Sequence, residues 1–104
     1  MFALENLAEI VARRAEADAG ESYTRSLLDK GVARCARKFG EEATEAVIAA
    51  VAEDDAALTG EAADVLYHLL VVLQARKIPL EAVMAELERR TVRSGHEEKA
   101  SRPK

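Results

Sequence analysis

Residues 60–73, GEAADVLYHLLVVL, hold Leu69, Leu70, Val71, Val72 and Leu73 in one unbroken run. Five consecutive apolar residues cover nearly the whole circumference of a helix, and a helix that is apolar all round needs neighbours on every side. Strict alternation, the mark of a half-buried strand, is sustained nowhere in the chain, whereas apolar residues recur at helical spacing almost throughout. The chain therefore reads as all-α, with a central helix from Ala56 to Lys77. Gly60 within it costs about 1 kcal/mol relative to Ala, so either close packing or a start displaced to Thr59 is expected.

The flanking sequence supplies the neighbours. A helix over Val32 to Glu53 ends at the acidic pair Asp54 and Asp55, of which Asp55 can cap the central helix by accepting from its free backbone N–H groups. Leu4, Leu7, Ala8, Val11 and Ala15 share one face of a helix over Leu4 to Ala17. Ala19, Gly20, Glu21 and Ser22 break it, and SYTRSLLDKG at 22–31 reads as more irregular. Pro79 suits the first turn of a last helix, Leu80 to Val92, because its fixed φ fits there and its missing N–H is not needed. The result is a domain of four to five helices over residues 1–92 and a polar tail over 93–104. Helices of these lengths leave a narrow core for one chain, so homo-oligomerisation through the central helix, as a homodimer or larger assembly, is expected.

Composition narrows the function classes. A length of 104 residues supports one domain with one modest core. Hydrophobic residues at 49% beside charged residues at 33% mark a globular rather than a disordered composition. The net charge of −4 opposes general capture of nucleic acid, which requires an excess of Lys and Arg. An anionic ligand would need a local basic patch or a bridging metal. Cys35 is the only cysteine, which rules out an intrachain disulfide or a cysteine-based metal cluster and leaves it as a small packing residue. The N-terminus lacks a signal-peptide layout, since Glu5 and Glu9 interrupt its apolar residues. The apolar run at 69–73 falls well short of the ~20 residues of a membrane span. No membrane partner and a cytoplasmic location are expected.

KFGEEATEAV at 38–47 raises the chemical question. On a helical count Lys38, Glu41, Glu42 and Glu45 fall within a sector of about 100°, opposite Phe39, Ala43, Val47 and Ala50. Like charges three and four apart repel. Alone, the stretch reads as a solvated edge. Glu61 and Asp64 repeat the i, i+3 spacing on the central helix, amid uncharged Ala62, Ala63, Val65 and Leu66, where an aspartate is not explained by helix propensity. Carboxylates bordering an apolar surface are partly buried, which is unfavourable unless they are paired or coordinate a cation. Two antiparallel helices with such pairs can offer oxygen ligands to one or two hard divalent ions. Magnesium fits best, because it takes carboxylate oxygens, keeps waters and shares its coordination with phosphates. A di-iron bundle is the competing reading, but it uses Glu-x-x-His motifs, and here the i+3 position is Asp64. His68, one turn beyond, reads as a structural residue or a support for the ligands, with ligation or proton transfer as alternatives.

EExxE at 41–45 with ExxD at 61–64 resembles the MazG-like all-α nucleotide pyrophosphohydrolase superfamily. The longer stretches at 22–50, 60–73 and 87–102 (LERRTVRSGHEEKASR) resemble the phosphoribosyl-ATP pyrophosphohydrolase family, and the resemblance spans about residues 5 to 102. It implies a MazG-like helical bundle and hydrolysis of the α–β phosphoanhydride of phosphoribosyl-ATP to phosphoribosyl-AMP and pyrophosphate, the second step of histidine biosynthesis. It further implies metal ligation by Glu42, Glu45, Glu61 and Asp64, and a catalytic role for Glu45. Glu41 is then an additional ligand or a base orienting the attacking water. The length leaves no room for the cyclohydrolase fused to some members, so the stand-alone form is expected.

The segment around the glutamates suits a nucleotide substrate. Residues 25–38 contain Arg25, Lys30, Arg34, Arg37 and Lys38 against Asp29 alone. Lys38 shares the glutamate sector and is the first candidate for a phosphate contact, with an i, i+4 salt bridge to Glu42 the plain alternative. Arg34 is second, and Lys30 lies in the same basic segment. Ser22, Tyr23 and Thr24 match a family motif and are candidates for contacts to phosphate or ribose, though a loop and helix cap explains them equally. In the tail, the resemblance implies that Ser94, Gly95, Glu98, Lys99 and Arg102 fold over substrate or a subunit, with Lys99 and Arg102 contacting substrate; the polar composition alone reads as a loose end. Two other readings stay open: a housecleaning nucleoside triphosphate pyrophosphohydrolase, and a noncatalytic helical oligomer or adaptor.

Overall fold

The structure, a computed structural model, describes residues 1–92; the tail residues, with Lys99 and Arg102, lie outside the described residues. Five helices and no strand occur among the described residues: α1 (Leu4–Ala15), α2 (Tyr23–Asp29), α3 (Val32–Ala52), α4 (Asp55–Ala75) and α5 (Leu80–Arg90). The all-α expectation holds. α3 and α4, joined by a two-residue turn, form a hairpin that makes the most extensive contact in the molecule.

The segment 22–31 departs from its reading as irregular. It contains α2, whose N-cap Ser22 accepts from the Arg25 amide at 3.1 Å and donates to the Arg14 carbonyl at 3.0 Å. A helix of seven residues is too short for periodicity to reveal. Arg25 fastens it to the end of α1 through the carbonyls of Ala15 and Ala17, at 3.3 and 3.2 Å.

Several helix ends also differ from the sequence reading. The cap of α4 is Asp54, whose Oδ1 accepts from the Ala57 amide at 2.9 Å; Asp55 is already the first helical residue, and no displaced start at Thr59 occurs. A capping carboxylate must reach an amide two or three residues ahead, and Asp54 meets that geometry. Pro79 is the extended N-cap of α5 rather than a residue of its first turn. Gly31, the N-cap of α3, has φ 94°, a left-handed value that suits a residue without Cβ.

All five helices contribute to one core: Val11 of α1, Leu27 of α2, Cys35 of α3, Leu70 and Val71 of α4, and Leu80 of α5. Cys35 packs as expected, 1% exposed, its thiol donating to the Leu27 carbonyl at 3.3 Å. On α3 one acid of the polar sector turns inward and one apolar residue turns outward. The buried positions are Cys35, Glu42 and Ala49, seven residues apart, whereas Val47 is 64% exposed. A stripe of period seven turns toward α4, and it carries a glutamate inward.

Candidate metal centre

The α3–α4 hairpin sets the centre. Glu42 and Glu45 lie one turn apart on α3, and Glu61 approaches from the first half of α4. One carboxylate oxygen from each falls within 4.8 Å of the other two. Glu42 is 8% exposed, Glu61 is half-buried and Glu45 is exposed. The three thus form a cup with one side open to solvent.

The electrostatics of the cup are unfavourable without a cation. Oε2 of Glu42 and Oε2 of Glu61 are buried and have no hydrogen-bond partner, and an orphaned buried carboxylate oxygen costs free energy. The Glu45 carboxyl is held above its ordinary range, first by the hydrogen bond it shares with Glu42 and then by the like charges of Glu42 and Glu61. One cation is already near: Lys38 Nζ lies 3.4 Å from Glu42 Oε1 and 3.8 Å from Glu41 Oε1. Glu42 in turn raises the proton affinity of Lys38, so the ammonium is firmly charged. One ammonium set against four carboxylates leaves room for a divalent ion, and an all-oxygen donor set of this kind fits a hard one.

The remaining expected site residues divide by position. Asp64 is exposed and lies outside the group of three, so of the acidic pair on α4 only Glu61 is partly buried. Residues three apart on a helix diverge by ~60°, enough for Glu61 to face α3 while Asp64 turns aside. Glu41 is exposed and faces Lys38 rather than the cup. His68 is 5% exposed, its Nδ1 bonded to the Asp64 carbonyl at 2.9 Å. A carbonyl only accepts, so Nδ1 carries a proton in this bond, while Nε2 is buried and has no partner.

Of the three residues at 22–24, Tyr23 alone keeps a free face. Ser22 is occupied as a cap, and the buried Thr24 hydroxyl is bonded to the Tyr67 hydroxyl at 2.5 Å. Tyr23 is 56% exposed, with its ring 6.5 Å from those of Tyr67 and His68. Lys30, Arg34 and Lys38 line one pocket of about 190 Å³ together with Tyr23, Leu27, Arg37 and Glu41. Arg37 was counted in the basic segment but not among the candidates for a substrate contact; its i+3 spacing from Arg34 was the available signal. A cleft of about 270 Å³ between α1, α4 and the start of α5 is lined by apolar residues, Gln74 and the acids Glu5, Glu9 and Glu81, a lining that repels a polyanion.

The chain matches the phosphoribosyl-ATP pyrophosphohydrolase family over residues 4–91. It is 63% identical over 99 residues to a phosphoribosyl-ATP pyrophosphatase of Azorhizobium caulinodans, covering 95% of this chain and 91% of that protein. It is 59% identical over 101 residues to phosphoribosyl-ATP pyrophosphatase 1 of Bradyrhizobium diazoefficiens, covering 97% and 95% respectively. A phosphoribosyl-ATP pyrophosphatase of Agrobacterium fabrum is 58% identical over 102 residues, covering 98% and 95%. With its paired carboxylates on adjacent helices and its full-length similarity to these proteins, the chain belongs to the phosphoribosyl-ATP pyrophosphohydrolase family.

Proposed function

We propose that the protein hydrolyses the α–β phosphoanhydride of phosphoribosyl-ATP to phosphoribosyl-AMP and pyrophosphate, the second step of histidine biosynthesis. Membership of the family supports the activity. The observation that carries the chemistry is the meeting of Glu42, Glu45 and Glu61 within 4.8 Å, two of them with an orphaned buried oxygen.

Magnesium is the cofactor this donor set suits, with Glu42, Glu45 and Glu61 as ligands and Asp64 joining them from the exposed side. When bound, it supplies charge against the leaving pyrophosphate and lowers the pKa of a water it holds. The chain's own residues do the rest. Glu42 is fixed by burial and by Lys38, which makes it the anchor of the centre. Glu45 faces solvent and orients the attacking water, while Glu41, one turn before it, holds Lys38. Lys38 spans the carboxylates and the basic pocket, where Lys30 and Arg34 contact substrate and Tyr23 offers its ring to the base or ribose.

Homo-oligomerisation belongs to the same reading. α4 is long and apolar enough, by length and composition alone, to cross a membrane, yet Glu61 on it faces the carboxylates of α3. Only His68, Leu70 and Val71 of α4 are buried within one chain. A second copy covering the rest makes α4 an interface helix of a cytoplasmic enzyme.

The test is pyrophosphate release from phosphoribosyl-ATP, measured with and without magnesium, in wild type and Glu45→Gln. Chelation should abolish turnover, and the substitution should reduce it by about 10²- to 10⁴-fold. If both left the rate intact, neither the centre nor the role of Glu45 would survive.

A further inference from the structure

The basic pocket between α2 and α3 is separate from the carboxylate cup and meets it only at Lys38. Its lining contains four cationic side chains, Lys30, Arg34, Arg37 and Lys38, and one carboxylate, Glu41. Lys38 is engaged by Glu41 and Glu42. Lys30, Arg34 and Arg37 have no ion-pair partner among the described residues, and all three are exposed. Three unpaired cations converging on one concavity repel one another, and an anion relieves that repulsion. Arginine pairs of this kind grip the planar or tetrahedral oxygens of a phosphate by several N–H groups at once.

The position along α3 indicates which phosphate. Arg34 and Arg37 precede Glu42 and Glu45 by eight residues, or about 12 Å at 1.5 Å per residue. That is well beyond the span of the two phosphates flanking a scissile bond held at the cup. Phosphoribosyl-ATP carries a further phosphate at the opposite end of the molecule, on the second ribose, the one attached to N1 of the purine. Tyr23 lines the same pocket, and its exposed ring offers an aromatic face to the purine.

Resting on the proposed activity, we infer that Lys30, Arg34 and Arg37 form a subsite for the 5′-phosphate of the N1-linked ribose, through which the enzyme separates phosphoribosyl-ATP from ATP. ATP has the same triphosphate and lacks this phosphate, so the carboxylate cup alone cannot tell them apart. The subsite needs no metal, because its charges belong to the chain.

Two measurements test the inference. Ribose 5-phosphate and pyrophosphate are titrated into the full-length protein in the presence of chelator, with amide shifts of residues 30–38 as readout, in wild type and the Arg34→Gln/Arg37→Gln variant. Ribose 5-phosphate should shift these amides in wild type, ribose should not, and the variant should weaken binding by about ten-fold or more. Next, kcat/KM is measured for phosphoribosyl-ATP and for ATP with magnesium. The variant's loss on phosphoribosyl-ATP, carried mainly by KM, should exceed its loss on ATP by about ten- to a hundred-fold. Equal losses on both substrates, or metal-free binding of pyrophosphate but not ribose 5-phosphate, would give the pocket to the triphosphate and overturn the inference. Failure of the underlying activity looks different: wild type would then release no pyrophosphate from phosphoribosyl-ATP, whatever the pocket binds.

Discussion

Glu45 carries a linkage between pH, metal and stability that can be measured without substrate. Its carboxyl is held above the ordinary value of 4.5 by the hydrogen bond with Glu42 and by the charges of Glu42 and Glu61. In the metal-free protein the folded state therefore binds more protons than the unfolded chain as pH rises past that value, so stability falls across the window up to the raised pKa. Metal-free Glu45→Gln should consequently melt higher than wild type at pH 7, with the difference vanishing below about pH 4. Magnesium should raise the melting temperature of wild type more than that of the variant, and thermal melts with chelator or metal check both. The approach of Glu61 to Glu42 and Glu45 was legible in the sequence because both acidic motifs break helix charge rules. The cap at Ser22 was among the readings the sequence offered; the role of Thr24 was not legible, since its partner is Tyr67, 43 positions away. A double-mutant cycle with Thr24→Val and Tyr67→Phe should return a coupling of about 1 kcal/mol in chemical denaturation. A coupling near zero would mean the two hydroxyls do not support each other.

The α3–α4 hairpin depends on a turn of two residues, Glu53 and Asp54, which brings Glu61 back beside Glu42 and Glu45. Asp54 closes it by capping α4 through the Ala57 amide. Asp54→Ala should cost about 1 kcal/mol, whereas Asp55→Ala, which removes only a favourable charge in the first turn, should cost a few tenths. Equilibrium urea unfolding of the two variants distinguishes them; equal costs would place the cap elsewhere. Two adjacent aspartates are equivalent candidates in sequence, and only backbone geometry separates them. The same limit explains α2: the three long helices α1, α3 and α4 and the Pro79-led α5 follow from periodicity and punctuation, but seven residues held by Ser22 and Arg25 do not complete two hydrophobic repeats. The inward turn of Glu42 was illegible for a related reason. A helical count gives relative angles, and the packing of α4 decides which angle is inside.

One chain leaves much of its apolar surface uncovered. Val47, Ile48 and Val51 on α3 are 64%, 51% and 84% exposed, and Leu66 on α4 is 45% exposed. These residues lie on the hairpin that carries the carboxylates, and a contiguous apolar patch on the elements that build a site marks an interaction surface. Ile48 follows Glu45 by one turn of α3, so a second copy seated on these residues would approach the exposed side of the cup, and water exclusion there strengthens every charge interaction with the metal. Wild type should therefore elute and scatter light as a homodimer or larger assembly at low micromolar concentration, above the 11.3 kDa of one chain. Ile48→Asp/Val51→Asp should shift that mass to a monomer, because each carboxylate would have to be desolvated at the contact. Turnover should fall with the mass, since a cup left open loses part of its electrostatic strength. A wild type that scatters as a monomer, or a double variant that keeps the mass of wild type, would show that these residues do not form the interface.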